Sequence, residues 1–324
     1  MQDKGHRIVS EIKKLATREV YGKTLVELGK DNPNIVVLDA DLSASTKTAL
    51  FAKAYPDRFF DMGVAEQDMI GTAAGLAACG KTVFASTFAV FGSGRAWDQV
   101  RVSVAYTRLN VKIVVTHGGI TTGEDGASHQ ANEDIAIMRA IPNMTVIVPA
   151  DGVQTEAIIR EAAKFYGPMY IRLSRPKTPV HYDKEKDKFK IGKGVVAKDG
   201  KDVTIFACGL MVAKALDAAK ILAKEKVSCR VVDIHTIKPI DKELIVKCAK
   251  ETGAAVTAEE HSIVGGLGGA VAEVLVENQP IPMVRVGIKD MFGESGQPDE
   301  LLVKYGLTTE EIVIAVKAVF KRKK

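Results

Sequence analysis

The sequence predicts an α/β protein of two domains, each a mainly parallel sheet with helices on both faces. Three observations carry this. The chain has 324 residues, enough for two ordinary cores. Continuous apolar runs such as NIVVLD (34–39) and VKIVVT (111–116) alternate with stretches of helical spacing, the mark of strands covered on both sides. The composition breaks at 175–190, RPKTPVHYDKEKDKFK, where two prolines and a charge run read as a linker. The domains are therefore expected at 1–180 and 181–324.

Taken in order, Val20, Leu25 and Leu28 give a helix over 17–30. The strand 34–39 ends in Asp39-Ala40-Asp41-Leu42-Ser43, polar residues at a carboxyl edge, where ligands of parallel sheets bind. A helix over 46–55 closes at Pro56. The run Phe59-Phe60 then leads through Gly63 into a helix over 66–79. Gly71, Ala73, Ala74, Gly75, Ala77 and Ala78 give that helix almost no bulk, which suits close packing against a backbone, a subunit or a flat ligand. A strand (82–85), a helix (92–106), the strand 111–116 and a glycine-rich loop, HGGITTGEDGASHQ (117–130), follow. A helix (132–139), a strand (145–148), a helix (152–164) and a strand (169–173) complete the first unit. In the second, strands are expected at 195–197, 203–207, 229–233, 254–258 and 284–286, and helices at 211–224, 242–251 and 268–276.

Several function classes are disfavoured. No apolar run reaches the ~20 residues a membrane helix needs. The amino-terminal MQDKGHRIVSEIKKL lacks an apolar core of signal-peptide type. The four cysteines, Cys79, Cys208, Cys229 and Cys248, show no metal-ligand spacing and suit a reducing cytoplasm. The net charge of +5 is mild, and its only basic run, the terminal KRKK, reads as a solvated tail rather than a nucleic-acid surface.

Among residues that could do chemistry, Glu66 opens the small-residue helix. It either complements the helix dipole or, held among Met62, Val64, Ala65 and Ile70, has a raised pKa and donates a proton. The glycine-rich loop carries His117 and His129 with Glu124 and Asp125 between them, a set that can bind hydroxyls and carry protons. Phe88 and Phe91 are either core or an aromatic platform for a heterocycle. Gly265-Gly266-Leu267-Gly268-Gly269 reads as a tight helix start.

These pieces, in this order, resemble the C-terminal half of transketolase: a pyrimidine-binding domain, then the transketolase C-terminal domain, over nearly the whole chain. The most specific matches are GVAEQDM (63–69), STFAVF (86–91), THGGITTGEDGASHQ (116–130), PNMTVIVPADGVQ (142–154) and IRLSR (171–175). The resemblance implies ketol transfer with thiamine diphosphate, in pentose phosphate metabolism. Glu66 matches the glutamate at the aminopyrimidine ring, where a carboxylic acid favours the imino form that serves as base. Phe88 and Phe91 match residues that hold the ring, and Asp41 matches a cofactor-proximal stretch. His117 and His129 match catalytic, sugar-facing positions, and Asp125 matches a residue that binds a ketose hydroxyl. Arg18, Ser45 and Arg175 resemble the group that holds the sugar phosphate. One departure is Gly118, where the family often has an acid.

The family holds magnesium and the diphosphate through a GDG motif with an asparagine about thirty residues on. This chain has only EDG (124–126), ADG (150–152) and KDG (198–200), none in that context. The resemblance thus implies a separate N-terminal subunit carrying the magnesium and diphosphate, and a heterotetramer with the site between chains. The rivals are the beta subunit of a 2-oxo acid dehydrogenase, a 1-deoxyxylulose-5-phosphate synthase-like protein, suggested by EEHSIVGGLG (259–268), and a non-catalytic scaffold. The GEDGASHQ loop and IRLSR favour sugar phosphate. The second domain is expected to serve association and stability, with His235, His261 and Cys208 structural.

Overall fold

The computed structural model describes residues 13–323, so most of the amino-terminal stretch discussed above and Lys324 of the basic tail lie outside the described residues. The first sheet has seven strands. From edge to edge they are Thr236–Lys238, Thr145–Ile147, Met169–Arg172, Val111–Val115, Thr82–Ser86, Ile35–Asp39 and Phe59–Asp61. All pairings are parallel except that of Thr236–Lys238. The apolar runs are continuous because each strand feeds two cores. Val36 and Leu38 pack with Met69, Ile70 and Ala73 on one face, while Ile35 and Val37 pack with Tyr21 and Leu25 on the other.

The second sheet has five strands, in the order Met283–Ile288, Ala255–Ser262, Val203–Ala207, Cys229–Asp233, Val195–Lys198, of which only Val195–Lys198 runs antiparallel. Helices Met211–Lys224 and Gly152–Lys164 have the bounds their spacing predicts. Two further helices, Pro298–Lys304 and Thr309–Phe320, close the chain.

Four differences from the sequence reading have physical causes. The stretch 175–190 is not wholly linker, since Lys177–Pro179 pairs antiparallel with Lys14–Ala16. The expected helix over 46–55 is broken at Lys47, whose φ is +72. There the buried Asp39 carboxylate accepts from Thr46 Oγ1 (2.7 Å), Thr48 Oγ1 (2.8 Å) and Leu42 N (2.7 Å), which turns the chain around it. The helix over 92–106 consists of wide π-type turns, Phe91–Arg95 and Val100–Tyr106, flanking a short α segment. Such turns concentrate at functional sites because they re-aim side chains. Finally, Thr236–Lys238 crosses from the second half of the chain to extend the first sheet, so the sheets do not divide where the composition does.

Candidate active site

The carboxyl ends of Ile35–Asp39, Thr82–Ser86, Val111–Val115 and Met169–Arg172 share one edge of the sheet. Asp41, Phe88, His117 and Arg175 stand just beyond them. Asp41 is exposed with φ +61, and its N–H donates to Asp61 Oδ1 (3.1 Å), which also accepts from Gly63 N (3.0 Å). The polar strand end is thereby tied to the turn that leads into the helix Glu66–Ala78.

Glu66 begins that helix and is only 4% exposed. Its surroundings are less apolar than the sequence suggests. Val64 is 71% exposed, and Arg95 Nη1 donates to Glu66 Oε1 (3.1 Å) and Oε2 (3.3 Å). The π-type turn Phe91–Arg95 brings Arg95 back across the Phe91 ring, 4.3 Å from its centroid. A cavity of about 450 Å³, lined by Val64 to Asp68 and Arg95, opens beside this pair. On the same helix Gly71 and Gly75 are exposed, with open space where a Cβ would stand.

From Phe91 an aromatic row runs inward. His129, half-buried, meets Phe91 edge-on at 5.2 Å, and Phe88 lies parallel to Phe91 at 6.2 Å. Buried Phe88 stacks on the His117 ring at 3.9 Å. Backbone bonds place Phe88 there, Ala89 N donating to Thr116 O (2.8 Å) and Thr116 N to Thr87 O (3.1 Å). His117 is buried, with φ +58, and its Nδ1 shares a hydrogen bond with Thr116 Oγ1 (2.8 Å). Burial, then the nearby Arg18, Arg175 and His129, hold its pKa down to about 3, so His117 is neutral at ordinary pH.

Arg18, in the first turn of the helix Thr17–Asp31, donates through Nη1 to the Ser45 carbonyl (2.9 Å). The structure thus joins Arg18 and Ser45 through the Ser45 backbone. Burial and the neighbouring Arg175 charge lower the Arg18 pKa. Arg175 donates to the Thr122 carbonyl and to Glu124 Oε2 (2.6 Å). The two cations stand beside neutral His117 and make this corner positive, with Glu124 a counter-charge on Arg175, while Asp125 stands exposed at the end of the turn Ile120–Asp125.

The network beneath the loop was not legible in the sequence. Buried Arg172 donates through Nε to Asp134 Oδ2 (2.8 Å) and through Nη2 to the carbonyls of Ala131 and Glu260 (both 3.0 Å). A Cβ at Gly118 would lie 2.6 Å from Arg172 Nε, so the acid that the family often carries there has no room. Arg172 lies in IRLSR and Glu260 in EEHSIVGGLG, but neither motif points to these partners, and Arg95 lies in none of the quoted motifs; each acts across a long sequence separation.

The three carboxylates that follow the glycine-motif idea have other partners or settings. Asp151 accepts from the N–H groups of Gln154 (2.8 Å), His181 (2.7 Å) and Tyr182 (3.1 Å). Asp199 pairs with Arg230. Asp125 belongs to the loop beside the histidines. Across from them, the second domain's helix Leu267–Asn278 starts on the buried Glu259 carboxylate, which accepts from Leu267 N (2.6 Å) and Gly268 N (2.8 Å). This accords with a tight helix start. His235, His261 and Cys208 are all buried.

Two family descriptions match the chain: the transketolase pyrimidine-binding domain over residues 13–180 and the transketolase C-terminal domain over residues 192–312. A Methanocaldococcus jannaschii protein provisionally named a transketolase C-terminal section is 57% identical, covering 91% of this chain and 93% of its own. A 6-deoxy-6-sulfo-D-fructose transketolase subunit from a Clostridium species is 48% identical over 94% of this chain and 95% of its own. Transketolase of Rattus norvegicus is 42% identical over 94% of this chain, but over only 49% of its own length. A solved split-gene transketolase, an inactive β4 tetramer, superposes with a TM-score of 0.90 at 58% identity, covering 96% of this chain and 100% of that one. The chain belongs to the transketolase family, and it corresponds to the pyrimidine-binding and C-terminal domains.

Proposed function

We propose that the chain is the C-terminal subunit of a thiamine-diphosphate-dependent transketolase. It transfers a two-carbon ketol unit from a ketose phosphate to an aldose phosphate, together with a separate N-terminal subunit. The observation that carries this reading is a half-furnished site: a buried glutamate beside an open cavity, and an aromatic row that leads inward from Phe91. Asp151 and Asp199 are committed to structural hydrogen bonds and an ion pair, whereas the Glu66 cavity is open. The residues present therefore fit the aminopyrimidine end of the cofactor, and magnesium and the diphosphate fall to the partner. Coverage supports this, since the chain spans its subunit-type relatives nearly end to end and the rat enzyme only by half.

Glu66 would hold a proton at the ring nitrogen, Phe88 and Phe91 would wall the ring, and Asp41 would border it. When bound, the cofactor supplies the electron sink that lets a ketose carbon–carbon bond break. Neutral His117 cannot act as a cationic acid at ordinary pH, so it orients a sugar hydroxyl through the nitrogen not bonded to Thr116. His129, at the mouth of the row, would pass a proton to the sugar, and Asp125 would bind a hydroxyl. Arg18 and Arg175, with the Ser45 segment, would hold the terminal anion. That anion is phosphate in this reading, but the same pair would accept a sulfonate, the terminal group named for the Clostridium relative's sugar. The protein is read as cytoplasmic; no described helix is long and apolar enough to cross a membrane.

The test is a coupled assay of ketol transfer from xylulose 5-phosphate to ribose 5-phosphate, with thiamine diphosphate and magnesium. The chain alone should be inactive, as the β4 tetramer of the split-gene relative is named, and the mixture with its N-terminal subunit active. Full activity of the chain alone would sink the split-enzyme reading. Decarboxylation of a 2-oxo acid by the mixture, in place of ketol transfer, would move the assignment to the dehydrogenase.

A further inference from the structure

We propose that Glu260, in the C-terminal domain, is a positioning residue for the sugar-facing loop of the first domain. The inference rests on the proposed sugar role of His117 and Arg175. It gives the second domain a part in substrate binding that association and stability alone do not.

The loop emerges from a strand of the first sheet, yet its anchor comes from the second. The N–H of Thr121 donates to Glu260 Oε1 at 2.7 Å, between residues 139 apart in the chain. Both groups are buried, where leaving the Thr121 N–H without its acceptor is costly. The approach is close enough to dictate sequence. Gly119 has φ +84, and a Cβ there would lie 2.4 Å from Glu260 Oε1. The Glu260 backbone is held as well, because Arg172 Nη2 bridges the Glu260 and Ala131 carbonyls, and Ala131 O also accepts from Gly119 N (2.9 Å). The carboxyl thus has a fixed base from which to hold the turn.

What the turn holds gives the contact its consequence. Thr122, the next residue, touches both sides of the positive corner. Its hydroxyl donates to the His117 carbonyl (2.8 Å), and its own carbonyl accepts from Arg175. Glu260 fixes Thr121, Thr121 fixes Thr122, and Thr122 sets His117 and Arg175. None of these links reaches the Glu66 cavity. Releasing Thr121 should therefore disturb sugar binding more than cofactor binding, which it reaches only through the stack of His117 on Phe88.

The experiment uses the assembled enzyme, both subunits with thiamine diphosphate and magnesium. Glu260→Ala is expected to raise the KM for xylulose 5-phosphate about tenfold, with kcat and thiamine diphosphate affinity by calorimetry each changed less than about threefold. Glu260→Gln keeps an oxygen for the Thr121 N–H and should return KM to within about threefold of the parent. A purely structural role would instead lower the amount of folded enzyme at constant KM. If Glu260→Ala does not fold, Thr122→Val breaks the relay one residue later with Glu260 intact and should raise KM in the same direction. A parent-like KM in Glu260→Ala, or in Thr122→Val where that variant stands in, overturns the inference while the parent's activity upholds the proposed function. Absence of ketol transfer by the parent mixture would overturn the proposed function and this inference together.

Discussion

The two ends of the aromatic row are built differently. At the His117 end every strut comes from this chain: Arg172, Asp134 and Glu260 lie beneath the loop, and Thr116 and Thr122 hold the histidine from either side. At the Glu66 end the chain supplies a buried carboxylate and then stops. The cavity is open, Gly71 and Gly75 face empty space, and a half-exposed arginine is the group that meets Glu66. One end is held together by contacts within this chain, and the other is the end that the proposed function gives to a partner subunit to complete. The difference teaches where to look for dependence on a partner. Changes at the Glu66 end should alter cofactor use, and changes at the His117 end should alter sugar use.

The largest expected effect breaks the open end. Glu66→Gln keeps the shape but removes the acid, and ketol transfer by the assembled enzyme should fall by roughly 10²–10⁴-fold, the range for a lost acid–base group. Sugar-phosphate KM should stay near the parent value, which steady-state kinetics will read. Next, Arg175→Ala breaks the His117 end, where removal of a charge-assisted contact to the terminal anion should raise that KM about 10- to 100-fold with a smaller change in kcat. A smaller effect sharpens the contrast. Arg95 occupies both Glu66 and the Phe91 face. Because it is 54% exposed, its ion pair is screened by solvent. Arg95→Ala should therefore tighten thiamine diphosphate binding to the assembled enzyme only about two- to tenfold by calorimetry.

The smallest effect concerns pH. His117 in the fold has a pKa held to about 3, below its ordinary value of 6.5. The folded state therefore binds fewer protons than the unfolded chain between those values, and this histidine's contribution to stability is complete above pH 6.5 and lost as pH falls toward 3. The melting temperature of the parent should fall relative to that of His117→Gln as pH drops from 7 to 4. The His117 ring resonance should not titrate between pH 5 and 8.

Much of this was legible locally. Helix Gly152–Lys164 could be bounded from its spacing, and the structure adds Asp151 as a cap on Gln154 N. The GVAEQDM and HGGITTGEDGASHQ stretches could be read as candidate sites because each gathers its polar residues within one turn or loop. The segment Thr308-Thr309-Glu310-Glu311 also carries a legible signal, since Thr308 caps Glu311 N (3.2 Å) in the capping-box spacing, although the sequence reading did not extend to that helix. What escaped are the contacts between distant residues. Arg95 meets Glu66 across 29 positions, and Glu260 meets Thr121 across 139. The strand Thr236–Lys238 leaves its own half of the sequence to join the first sheet. Such pairings depend on how elements pack, and no local period or spacing encodes them. The conformation of Arg95 likewise follows from a π-type turn that apolar spacing alone reads as an ordinary helix.

The most direct test of the half-furnished site is a calorimetric titration of thiamine diphosphate, with magnesium present, into this chain alone, into its N-terminal subunit alone and into the mixture. Tight, saturable binding with one cofactor per pair should occur only in the mixture, and Glu66→Gln should weaken it. Saturable binding of one thiamine diphosphate per copy of this chain by itself would contradict the account.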